Sequence, residues 1–259
     1  MRSYPSVEEA EILLQEAESC NPGPWSNHSR IAALCAKRIA QAAGMEAEKA
    51  YVLGLLHDVG RKFGKGHLTH VYDGWRYMQQ LGYHDVARIC LTHSFPVPTL
   101  HVYVGSCDIP QSRQRELEET LATIEYDDYD RLIQLCDCLA GAEGVVDMED
   151  RMADVKHRYG NYPQEKWDAN MALKAYFEEK NRIRSLRFGE IKQQPPQKFP
   201  AAVLPAIGGD CSGDEFDQME RLAEVSGVPI PRNLAGLREK EERHTDVIDK
   251  ENMLDYIIK

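Results

Sequence analysis

The chain has 259 residues, enough for one domain of ordinary size plus an appendage and for a sizeable buried core. Hydrophobic residues make up 42% and charged residues 28%, which excludes general disorder, a collagen-like repeat and a disulfide-stapled miniature. Acids outnumber bases 42 to 31, and the net charge of −11 argues against a long nucleic-acid partner, whose binding needs Lys and Arg to displace counterions.

The first two hundred residues read as helices. Val7 to Ser19 is amphipathic, and Asn21-Pro-Gly-Pro24 breaks it. A second helix starts near Ser26 or Asn27, both suitable N-caps, carries Ile31, Leu34, Cys35 and Ile39 at helical spacing, and ends at Gly44. Glu46 to His57 gives a third, with Ala50, Leu53, Leu56 and His57 on one side. A glycine-rich basic turn, Gly60 to Gly66, follows, then helices over His70 to Gln80 and Asp85 to His93. Ser94 to Pro110 holds three prolines and reads as a loop with room for one short extended piece. Helices are expected at 112–125, 129–140, Val145 to Tyr159 and Gln164 to Arg187. No hairpin dipeptide sits between alternating runs, so the fold class is all-α.

Composition shifts near residue 193. Gln193 to Pro200 reads as an extended linker, and residues 201–259 carry 13 acids and 7 bases. The division is a helical domain over 1–190 and a Pro-containing, acidic extension over 191–259, with short helices at 214–226 and 238–256. This appendage suits packing or self-association, so a homo-oligomer is one expectation. Seven cysteines, an odd number with no CxxC pair, read as reduced thiols and a cytoplasmic setting. No apolar run reaches membrane-span length, so no membrane association is expected, and the first residues lack the order of a secretory signal.

The chemistry concentrates in histidines and embedded acids. Seven of nine histidines fall between residues 28 and 101. In Tyr51-Val-Leu-Gly-Leu-Leu-His57-Asp58 an adjacent His and Asp end an apolar helix. In Leu132-Ile-Gln-Leu-Cys-Asp137-Cys-Leu an acid interrupts an apolar run, on one face with Ile133 and Ala140. A buried carboxylate is expensive unless it is paired or binds a cation. A buried Arg or Tyr partner is the plain alternative for Asp137. Cys136 and Cys138 flank it off its face and read as packing.

The order His28, His57-Asp58, Asp137 resembles the HD superfamily of metal-dependent phosphohydrolases, and Leu-Leu-His57-Asp58-Val-Gly-Arg61 is similar to its HDIG-type motif. The likeness spans roughly residues 10–187. It implies a helical bundle around a metal centre held by His28, His57, Asp58 and Asp137. His70, opening an HxxxG run to Gly74, and His93 resemble ligands to a second metal bridged by Asp58. The set suits one or two divalent transition ions among Fe, Mn, Co, Ni and Zn. The short interval from Asp58 to His70 departs from many two-metal members, and His67 is an alternative to His70. His101 is a candidate cavity residue, while His84, His157 and His244 read as surface.

The implied activity is hydrolysis of a phosphoester or phosphoanhydride in a small phosphorylated substrate, a nucleotide above all, by metal-activated water that Asp58 positions. Arg61 and Lys65 are expected to hold phosphate, with Arg30 a weaker candidate and Lys62 a solvated loop residue. Two other readings use the same residues. An HD-fold di-iron oxygenase shares the ligand set, and bound iron with dioxygen uptake would mark it. A non-catalytic regulatory module requires a missing ligand, and none is missing. No P-loop, GxGxxG or GxSxG motif offers another chemistry.

Overall fold

The computed structural model describes residues 2–181. Among them lie nine α-helices and no strand: α1 (Val7–Cys20), α2 (Trp25–Ala43), α3 (Ala47–Leu56), α4 (Leu68–Gln80), α5 (His84–Thr92), α6 (Gln111–Thr123), α7 (Asp128–Leu139), α8 (Met148–Tyr159) and α9 (Gln164–Asn181). Two 3-10 turns, Val59–Phe63 and Leu100–Val102, sit in the connections. The described residues are therefore all helical apart from turns and loops, as the all-α expectation has it. None of these helices is long and apolar enough to cross a membrane. The linker at 193–200, the extension with its expected helices, the 190/191 boundary, the end of the 164–187 helix and His244 lie outside the described residues.

The helix starts follow local chemistry, with two corrections. Ser6 caps α1 reciprocally with Glu9: its hydroxyl accepts the Glu9 N–H, and the Glu9 carboxylate accepts the Ser6 N–H. The second helix does not start at Ser26 or Asn27. It begins at Trp25 behind Pro24, whose ring fixes φ at −69°. The two cap candidates are used elsewhere: Ser26 donates to Glu18, and Asn27 donates to the Ala142 carbonyl. The eighth helix starts at Met148 rather than Val145. Val145 instead pairs with Ala140 in a single antiparallel bridge, and Asp147 caps the helix by accepting the Glu149 and Asp150 N–H groups.

Close backbone approaches set the position of the site. Every residue of α3 from Ala50 to Leu56 is buried, which explains its apolar character all round. Gly54 lies against α2 so tightly that a Cβ there would sit 2.8 Å from the Ala33 Cα. That crossing brings His57, just past the end of α3, towards His28 in the first turn of α2. Gly60 does the same for α4: a Cβ would fall 2.0 Å from the His70 carbonyl oxygen and 2.4 Å from the Gly74 nitrogen. The HxxxG spacing thus has a packing cause, since the turn after the His-Asp pair rests directly on the backbone of α4.

Candidate metal centre

Three helix C-termini converge on one point. His57 follows α3, His93 follows α5, and Asp137 occupies the last turn of α7. The last carbonyls of a helix lack intrahelical donors, and their end of the helix dipole is negative. Two of the imidazoles use those carbonyls. The Nδ1–H of His57 donates to Gly54 O at 2.7 Å, and that of His93 to Cys90 O at 2.9 Å. His28 donates its Nδ1–H to Ala140 O, 2.9 Å away and just past the end of α7. A carbonyl only accepts, so the three rings carry their protons on Nδ1 and turn Nε2 inward.

The inward atoms crowd one another. His28 Nε2 lies 2.9 Å from Asp137 Oδ1 and 3.3 Å from His57 Nε2. His57 Nε2 is 3.8 Å from Asp137 Oδ1 and 3.9 Å from Asp58 Oδ2. Asp58 Oδ1 is 3.1 Å from His70 Nε2 and 3.5 Å from His93 Nε2, yet it is buried with no hydrogen bond of good geometry. Lone pairs facing lone pairs at these distances need a proton or a cation between them. His28, His57 and Asp137 form one group of ligand atoms within 4.8 Å of one another, and His57, Asp58 and His93 form a second. The residues present therefore fit a divalent cation.

Burial and neighbouring charges set the protonation states of the cluster. Burial pushes the His57 imidazole down to about 4, with the Asp58 carboxylate opposing, so the ring is neutral at pH 7. Burial also depresses His28, but the adjacent Asp137 overrides it and raises the ring above its ordinary value. Burial alone would raise the Asp58 carboxyl; Arg61, His70 and His57 hold it well below the usual carboxylate range. Asp137 is likewise lowered against its burial, through His28 and His57. The neutral His57 ring and the ionised Asp58 and Asp137 carboxylates are in the ligand forms metals require, while His28 has to give up a proton to join them.

The cluster opens into a cavity of about 580 Å³. Arg61 and Lys65 line it, and so does His67. The His67 ring, however, stacks edge-on with Tyr159 at 5.6 Å rather than replacing His70. Arg61 is committed: its Nε donates to Asp58 Oδ2 at 2.6 Å. Three expectations are corrected. Arg30 does not line the cavity and bonds Glu18 at 2.9 Å, because its turn of α2 faces α1. His101 is exposed and lies 3.3 Å from Glu165 on α9, away from the cavity. Lys62 stands over the Tyr77 ring, 4.5 Å from its centroid, rather than in a solvated loop.

Part of the cavity lining was not foreseen. Arg151 and Arg158 of α8, Lys166 of α9, and Trp25, Tyr103 and Tyr162 also line the cavity. Lys166 is 9% exposed, and its ammonium donates to the Ser94 carbonyl at 2.7 Å, beside His93. Burial lowers its pKa, and Cys138 and Asp137 oppose that shift. Long charged side chains on amphipathic helices carry no local mark of facing inward, so the sequence held no usable signal for them.

Residues 25–142 match the family model described as HD domain. The matched span includes His28, His57, Asp58, His70, His93 and Asp137, and it leaves α8 and α9 outside. Over this span the chain is similar to HD domains. No curated protein and no solved structure matches the chain.

Proposed function

We propose that this protein is a metal-dependent phosphohydrolase, similar to the HDIG type, acting on a small phosphorylated molecule, with nucleotides the first class to test. The observation that carries the reading is the His/Asp cluster set into a cavity that cationic and aromatic side chains also line. A divalent transition ion held by His28, His57, Asp58 and Asp137 supplies an acidified water and neutralises phosphoryl charge. The chain's own residues do the rest. Asp58 presents Oδ1 between His70 and His93 and orients the attacking water. Lys166 and Arg151 hold phosphate oxygens, and Lys65 adds positive charge to the lining. The planar rings of Trp25, Tyr103 and Tyr162 give a flat base a surface to stack on.

The test is phosphate release from a panel of nucleoside mono-, di- and triphosphates and cyclic dinucleotides, with protein loaded separately with Mn, Fe, Co, Ni or Zn. The expected result is turnover that one of these metals supports and a chelator abolishes. No release with any metal, together with dioxygen consumption by the iron-loaded protein, would overturn this reading in favour of an oxygenase.

A further inference from the structure

The six clustered residues are not equivalent. His28, His57 and His93 each donate Nδ1–H to a backbone carbonyl, which fixes Nε2 as a bare ligand. His70 has no such anchor: its Nδ1 is buried without a partner. Its Nε2 already meets a cation, because Arg61 Nη2 donates to it across 3.4 Å. The same guanidinium donates from Nε to Asp58 Oδ2 at 2.6 Å. One planar group thus engages both Asp58 and His70. His70 belongs to neither of the two groups of ligand atoms lying within 4.8 Å of one another.

We propose that the Arg61 guanidinium takes the place of a second metal ion and holds the centre to one. The inference rests on the cluster being a metal site. Arg is charged at every accessible pH, and its fork matches a carboxylate on one side and a ring nitrogen on the other. A second dication coordinated by Asp58 Oδ1 and His70 Nε2 has to displace Arg61 Nη2 from His70 and then sit beside a guanidinium that stays bonded to Asp58 Oδ2. The first group, His28, His57 and Asp137, has no such competitor.

The test is manganese content after saturation with Mn²⁺ and desalting, read by elemental analysis. The wild type is expected to hold one ion per chain and Arg61→Gln two, with Arg61→Gln/His70→Ala returning to one. Two ions in the wild type, or one in folded Arg61→Gln, overturn the proposal and leave the metal centre standing. No manganese in the wild type overturns the metal centre and this inference with it. Electron paramagnetic resonance of the loaded wild type is independent of how any variant folds. An isolated six-line signal supports the proposal, and an exchange-coupled pair signal contradicts it.

Discussion

Asp130 and Asp137 lie two turns apart on α7, and both carboxylates are drawn into the interior, but their surroundings differ in kind. Asp130 is fully buried and fully satisfied. Arg88 meets both of its oxygens, at 3.0 and 3.1 Å from Nε and 2.6 Å from Nη2, while the Thr92 hydroxyl and the Asp127 N–H complete the set. Asp137 has 28% of its side chain exposed, and its close neighbours are imidazoles that point lone pairs at it. The first carboxylate is matched to a cation the chain provides. The second sits among ring nitrogens in a set that could hold a metal ion. Burial of a charge therefore does not mark a functional site; an unbalanced set of acceptors does.

Substitution at each acid separates the two roles. Asp137→Ala is expected to lose bound metal and to lower metal-dependent turnover on the order of a thousandfold, a loss comparable to removing a main electrostatic stabiliser. Its thermal unfolding without metal stays near that of the wild type. Asp130→Ala is expected to do the reverse. It strands Arg88 and removes the Asp130 half of the α7 capping box, costing about 3 kcal/mol in urea unfolding, while metal per folded chain is unchanged. Equal effects of the two substitutions on metal content would erase the distinction.

A buried cation extends the comparison. The Lys166 ammonium is buried against a neutral carbonyl, with Tyr162 beside it, on the cavity wall. Lys166→Met is expected to raise KM roughly tenfold, the scale of one charge-assisted hydrogen bond, with metal content preserved. An unchanged KM would remove Lys166 from substrate binding.

The smallest effect belongs to Asp73 on α4, an acid with neither arrangement. Burial pushes its carboxyl up to about 6, with Arg113 at 3.9 Å opposing and Asp108 adding to the rise. The folded pKa lies above the unfolded one, so this group destabilises the fold increasingly as pH rises from about 4 to above 6. Asp73→Asn is expected to add about 1 kcal/mol at pH 8 and nothing near pH 4. A gain equal at both pH values would show that the carboxyl is not perturbed.

The sequence exposed Asp137 because an acid in apolar surroundings such as Leu135-Cys-Asp-Cys-Leu139 is locally conspicuous. Asp130 is not conspicuous: Asp-Tyr-Asp-Arg reads as a polar helix start, and its burial depends on Arg88, 42 residues away. His57 and Asp58 were legible for the same reason as Asp137, at the end of an apolar helix. Helix existence followed from periodicity, whereas the starts at Trp25 and Met148 depended on tertiary uses of Ser26, Asn27 and Val145. The engagement of Arg61 with His70 was not legible, since it needs Gly60 packed on α4 to set the distance. Arg30 showed the converse, a residue near a ligand in sequence but bonded to Glu18 in space.

The most direct test of the account is metal content per chain, by elemental analysis, on protein purified without chelator or nickel-affinity resin, with His57→Ala alongside. The account predicts a divalent transition metal bound to the wild type and absent from the folded variant. A wild type with no metal and no uptake on reconstitution would contradict it.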